Sequence, residues 1–171
     1  MSALRDHGGD GSIAYRGANG ALAAPCAHAG GLLTSTQTTA SWVANATTGE
    51  HWVTGTAAPC TSLFKPVALA PPSWPQPTGL SNRADTAHLW WRHERIHRGW
   101  TRDPQAYADS RRERDALERE WVATGTSPDE AWPLASAWEE RGAAVVPSGD
   151  VRPALVRGLW RRWDRASRMA G

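Results

Sequence analysis

Three groups of residues in this chain have the types and spacing to do chemistry. The first is His93-Glu94-Arg95-Ile96-His97, an HExxH. On a helix its two histidines, four positions apart, share a face and could grip a zinc ion with Glu94 as general base. A third protein ligand would be needed, and Glu113, Glu118 and Glu120 are the next glutamates downstream. Against this, Leu89, His93, Ile96 and Trp100 fall on one helical stripe, which makes His93 a core histidine with a satisfied ring. Arg95 also stands where a zinc-protease helix is usually apolar. The core reading is the stronger, so no metal ligand is assigned and no cofactor is expected.

The second group is the two cysteines, Cys26 and Cys60. A cysteine at a chain terminus can use its own α-amine as base, but an internal one cannot. Cys26 and His28 could form a thiol–imidazole pair, expected only if a loop turns them together. The two thiols have no zinc-type spacing and are too few for a disulfide framework. They read as reduced and structural, since free cysteine is among the most buried residue types.

The third group is electrostatic. The last stretch carries Arg152, Arg157, Arg161, Arg162, Arg165 and Arg168, with Trp160 and Trp163 interleaved. Such a helix can bind phosphate backbones or an anionic membrane surface. The plainer reading is a solvated face whose arginine stems cover an apolar stripe. Thr38, Thr39, Ser41 and Lys65 could line a cleft, but hydroxyls on strand faces are commonplace and none is assigned a catalytic role.

These residues must be positioned by two kinds of element. Thr36–Asn45 alternates like a strand, His51–Thr56 is rich in Trp, Val and Thr, and Ser62–Pro66 makes a third short run. Pro66 cannot donate to a ladder and marks a strand end or an edge. The pair around Gly49 should be antiparallel, and alone would leave Trp42, Trp52 and Val53 facing solvent. The first 70 residues thus form an αβ unit, 71–84 a Pro-rich connector, and 85–171 a helical tail. In the tail Asp85 caps a helix over Thr86–Arg98 stopped by Gly99. Asp103-Pro104 opens another, to about Ala123, whose apolar side is thin: Tyr107, Leu117 and Trp121. Its Arg111–Asp115, Arg114–Glu118 and Asp115–Arg119 spacings suit surface ion pairs. Ser127–Glu130 matches a capping box, with Pro133 interrupting before Trp138. The last helix starts near Pro153.

Several of these stretches also carry a family resemblance. Leu4-Arg5-Asp6-His7, Cys26-x-His28, Thr38-Thr39-x-Ser41-x-Val43, Trp52-x-Thr54-Gly55-Thr56, Pro59-Cys60-x-Ser62-x-Phe64-Lys65-Pro66 and Trp90-Trp91-x-His93-Glu94-x-x-His97-Arg98 follow one another in order and spacing. The pattern resembles the C-terminal part of the secernin and dipeptidase family of N-terminal nucleophile hydrolases. The resemblance covers roughly the first 120 residues. It implies α+β architecture as part of an αββα sandwich, and an intact enzyme that cleaves amide bonds, typically of dipeptides, through a cysteine thiolate and an acyl-enzyme. That nucleophile is an N-terminal cysteine far upstream of these motifs, and no residue here can be it. The catalytic residues of this chain are therefore unknown, and an upstream N-terminal half is the expected partner.

Composition fits such a role without requiring it. The chain has 171 residues, 40% apolar and 21% charged, within the range of globular domains. Eleven tryptophans stand against one phenylalanine, and each indole N–H needs a partner when buried. A net charge of +2 is too small to argue nucleic acid by itself. No apolar run approaches the about 20 residues that span a bilayer, and Met1–Gly11 lacks a secretory apolar region. A cytoplasmic chain with no membrane partner is expected. The runner-up reading is a non-enzymatic interaction module whose Arg/Trp helices bind a partner protein or nucleic acid.

Overall fold

Asn45 initiates the turn that pairs the first two strands. Its side chain accepts from the backbone N–H groups of Thr47 and Thr48, at 3.1 and 3.4 Å, and its carbonyl accepts from Gly49. This Asx-type turn joins β1 (Trp42–Asn45) to β2 (Glu50–Val53), antiparallel, with Trp42 opposite Val53 and Asn45 opposite Glu50. β3 (Lys65–Val67) pairs antiparallel with β2, giving the order β1-β2-β3. Pro66 sits opposite Trp52 on this edge strand, where a missing N–H is tolerated. The computed structural model describes residues 1–9, 11–69 and 81–169.

Four helices follow among the described residues: α1 (Leu89–Arg102), α2 (Ala108–Thr124), α3 (Pro128–Ala143) and α4 (Ala154–Ser167). The architecture is thus α+β, a small three-stranded antiparallel sheet with helices against it. α3 packs on β3, α1 and α2. Trp52 from the sheet, Leu63 and Phe64 beside it, Trp121 of α2 and Trp138 of α3 share one core cluster. The strand pair alone would leave Trp52 facing solvent. It is buried because these helices fold back over its face of the sheet, while Trp42, on the opposite edge strand, is 63% exposed.

Three tryptophan N–H groups find carbonyls rather than side chains. Trp138 donates to Ser110 O at 2.9 Å, Trp132 to Pro66 O at 3.2 Å and Trp91 to Ser81 O at 3.1 Å. Each indole therefore fills core volume and also ties its element to another.

Several element boundaries differ from the sequence expectation, each for a local reason. The strand expected from Thr36 begins at Trp42, because Thr38 spends its side chain and N–H on Ala27 and Pro25 of a neighbouring loop. Asp85 caps only a turn, accepting from Ala87 N, and His88 caps α1 by accepting from Trp90 N. α1 then runs through Gly99 to Arg102. Gly99 is required by packing instead: a Cβ there would collide with the Tyr107 hydroxyl. α2 begins at Ala108, with residues 104–107 forming the turn that Asp103 holds. The Ser127–Glu130 capping box is present, but Pro133 does not interrupt α3, which runs sixteen residues. Of the Pro-rich connector at 71–84, residues 71–80 lie outside the described residues. No helix among the described residues is long and apolar enough to cross a membrane.

Candidate functional site

Three irregular segments and one helix converge beside the sheet. The first follows the 3-10 turn Ser2–Arg5 and carries His7. Arg5 anchors it: Nε donates to Pro59 O at 2.7 Å, one terminal nitrogen to Ser62 O at 2.9 Å and the other to Glu118 Oε2 at 2.7 Å. The second segment carries Cys26 and His28. It is held by Cys26 N donating to Asp6 O and by a lone bridge between His28 and Ala21. Gly30 closes this segment at φ 149°, and a Cβ there would press to 2.8 Å from the Tyr15 ring. The third is the β2–β3 loop carrying Cys60, whose carbonyl accepts from Arg114 of α2.

At the centre is His28 Nε2. It lies 3.2 Å from His7 Nε2, 3.4 Å from Cys26 Sγ and 3.3 Å from Cys60 Sγ. One donor atom from each of these four residues falls within 4.8 Å of all the others. Cys26, His28 and Cys60 are buried and His7 is half-buried. Behind His28, Nδ1 is 3.1 Å from His97 Nε2, and His97 Nδ1 is 3.2 Å from Glu94 Oε2. Glu94 is held in turn by Arg98 Nε at 2.8 Å and Gln37 Nε2 at 3.3 Å.

The electrostatics of the centre follow from this packing. Hydrogen bonding with Cys60 draws the Cys26 thiol well down, against burial and with help from His28 and His7. Burial, and then the neighbouring Cys26, push Cys60 well up. The two thiols titrate as a coupled pair, the first proton lost more easily than the second. Burial lowers His28. It also opposes the charge on His7, but there hydrogen bonding to Cys26 and to the Gly11 carbonyl outweighs it and the result is a raised value. Glu94 resists the upward push of burial because His97 and then Arg98 hold its carboxyl down at about 2.

The structure separates the two histidines of the HExxH. His93 turns to Glu139, 2.9 Å from Nδ1, and to Ser62 and Thr61, 3.0 and 3.2 Å from Nε2. It is a buried core histidine with both ring nitrogens partnered. His97 turns to His28. None of the three glutamates considered as a third ligand approaches: Glu118 accepts from Arg5 and Phe64 N, Glu113 pairs with Arg141, and Glu120 is exposed. The expected surface pairing of Arg114 with Glu118 is likewise replaced, since both are buried and face the loop that bears Cys60.

Cys26 stands at a bend of an irregular segment and His28 at a lone bridge, so the pair meets in a loop as expected. Lys65 is wholly buried, donating to Leu63 O at 3.0 Å beneath the Trp132 ring. Thr39 is exposed and Ser41 half-buried. On α4, Trp160 is buried against Ala29 and Val156, and Arg161, Arg162, Arg165 and Arg168 are exposed. Arg152 is buried in a pair with Asp150.

The reading from sequence missed His7 and Cys60 as neighbours of Cys26 and His28. Their signal was present: both stand in quoted motifs, yet 53 positions separate them. Spacing along the chain says nothing of which loops meet. His7 and Cys60 also border a cavity of about 710 Å³ whose lining includes Arg5, Arg111, Arg114 and Arg152. Comparison with models of known protein families, with curated proteins and with solved structures returns no match.

Proposed function

We propose that this chain is the C-terminal portion of a secernin-like amidohydrolase of the N-terminal nucleophile class, and that its small sheet belongs to an αββα sandwich. What supports this reading is the way the motifs of the resemblance meet in space. The motif residues form two hydrogen-bonded groups although they span more than ninety positions. His7, Cys26, His28, Cys60, His97 and Glu94 make one, and Arg5, Thr56, Ser62 and His93 the other. The two meet where Arg5 donates to Pro59 O, next to Cys60.

In this role the chain contributes scaffold and substrate-side surface, and the cysteine nucleophile comes from an upstream N-terminal half. Cys26 cannot take that place while it is wholly buried and bonded to its neighbours, since a nucleophile must reach a substrate carbonyl. The arginine-lined cavity suits a substrate carrying a carboxylate, such as a short peptide, because guanidinium groups match carboxylate geometry.

Assay of the purified chain against L-dipeptides tests this. No turnover is expected alone, and turnover is expected when it is co-expressed with an N-terminal half that exposes a cysteine. Hydrolysis by the chain alone, abolished by Cys26→Ala or Cys60→Ala, would show that an internal thiol is the nucleophile and would overturn the assignment.

A further inference from the structure

We propose that His7, Cys26, His28 and Cys60 form a structural zinc site. The inference starts from crowding. His28 Nε2 has three donor atoms at contact distance, His7 Nε2 at 3.2 Å, Cys26 Sγ at 3.4 Å and Cys60 Sγ at 3.3 Å. An imidazole nitrogen either donates one proton or offers one lone pair. Three hydrogen bonds at that single atom are therefore not available. A cation shared by all four side chains satisfies every contact at once.

The distances fit such an ion. Zinc bound tetrahedrally at ~2.0–2.1 Å from nitrogen and ~2.3 Å from sulfur implies ligand–ligand edges of roughly 3.3 Å for N···N and roughly 3.6 Å for N···S. The observed edges of 3.2, 3.4 and 3.3 Å agree to about 0.3 Å. Two sulfurs and two nitrogens in this geometry select zinc over the oxygen-seeking cations.

The tautomers fit as well. His7 Nδ1 is 2.8 Å from the Gly11 carbonyl and donates there, so in the neutral ring Nε2 is a lone pair facing the centre. With His97 neutral and its Nδ1 donating to the Glu94 carboxylate, His97 Nε2 accepts from His28 Nδ1, and His28 Nε2 is again a lone pair facing inward. Two lone pairs aimed at one another across 3.2 Å repel unless a proton or a metal ion lies between them, and a metal ion also accounts for the two thiols. The chain Glu94–His97–His28 is the outer-shell support by which proteins orient a ligating imidazole.

All four tetrahedral positions are filled by protein, which makes the site structural rather than catalytic. Its task follows from where the ligands lie. His7, the Cys26–His28 segment and the Cys60 loop contain no helix or strand beyond one 3-10 turn and lone bridges. A metal would staple three otherwise loosely organised segments to each other and, through His97, to α1. The cavity bordered by His7 and Cys60 gives the ion a route in. The site stands apart from the hydrolase reading, since it concerns only this chain's own residues.

The test is metal content and coordination of the full chain, expressed with zinc and exchanged into metal-free buffer. About one zinc per folded chain is expected, with X-ray absorption showing two sulfurs at ~2.3 Å and two nitrogens at ~2.0–2.1 Å. Cys60→Ser and His7→Ala should each lose stoichiometric zinc, and His97→Gln, outside the ligand set, should weaken binding about 10–100-fold. Because loss of a ligand can unfold the chain, cobalt substitution of the wild-type protein supplies a second readout: tetrahedral ligand-field bands together with thiolate-to-cobalt charge transfer. A folded wild-type chain free of zinc would overturn the proposal. So would bound zinc with no sulfur in its shell, or cobalt bound without a thiolate band, either of which would move the metal to a histidine–carboxylate site.

Discussion

His28 Nδ1 and His97 Nε2 lie 3.1 Å apart, joining residues separated by 69 positions. This contact explains why the most conspicuous motif of the chain is not a chelating pair. Side chains four apart on a helix share a face, but here each HExxH histidine is claimed by a different neighbour. His93 is fixed by Glu139 and Ser62, and His97 becomes the link between a carboxylate and the cysteine–histidine centre.

Removal of the metal should loosen the N-terminal third selectively. Zinc at about 1,000 times its Kd adds about 4 kcal/mol to the folded state. At roughly 2–4 °C per kcal/mol for a chain of this length, chelation should lower Tm by roughly 8–16 °C. Hydrogen exchange before and after a strong chelator should show protection lost first over residues 1–33, while α2 and α3 keep theirs. Uniform loss, or none, would count against the staple.

Glu118→Ala should be among the most damaging substitutions in α2. The carboxylate accepts from Arg5 at 2.7 Å and from Phe64 N at 2.8 Å. Removing it strands a guanidinium and a buried N–H, and breaking one side of such a pair costs about 3–5 kcal/mol. Denaturant titration against wild type measures this, and a loss no larger than a surface substitution's would show that the Arg5 anchor carries little stability.

Gly99→Ala would normally favour a helix, yet here it should destabilise. The added methyl meets the Tyr107 hydroxyl, which donates to Val145 O at 3.3 Å. Overpacking of this kind costs about 1–3 kcal/mol. Relief by Gly99→Ala combined with Tyr107→Phe, read from thermal unfolding of the two single variants and the double variant, would locate the clash.

Asp103 should make stability fall in acid. Its carboxylate accepts from Ser148 N and Oγ, both at 2.9 Å, from Gly149 N at 3.1 Å and from Ala106 N at 3.2 Å. The Ser148 contacts come first among the influences that hold it below the usual carboxylate range. A folded value below the unfolded one, about 3.9, means the stabilisation is fully present above that unfolded value and disappears as pH falls through the folded one. Asp103→Asn should therefore lower the urea midpoint at pH 7 and much less at pH 3. An equal gap at both would show that ionisation is not what the loop uses.

Local chemistry was legible without coordinates. Hydrophobic alternation and turn residues located the β1–β2 hairpin, and Ser127 with Glu130 announced the start of α3, because such signals act within a few residues. Pro66 announced a strand end or an edge for the same reason, since a missing N–H is a property of one residue. The placement of Gly99 misled for a related reason: glycine commonly ends helices, and only the Tyr107 side chain from beyond the helix shows that its role is to leave room.

The sequence by itself determined which residues could bind or ionise: two thiols, the histidines, and the acids and arginines near them. Only the tertiary structure decided which of them meet. Arg114 and Glu118 have ideal ion-pair spacing on one helix, yet each is drawn instead to the loop bearing Cys60, because a buried carbonyl, N–H and guanidinium there must be satisfied. His7, Cys26, His28 and Cys60 lie in segments whose own hydrogen bonding is sparse, so no local signal sets their approach. Their meeting depends on long-range contacts such as Arg5 to Pro59 and Cys26 to Asp6, which come into being only when the chain folds.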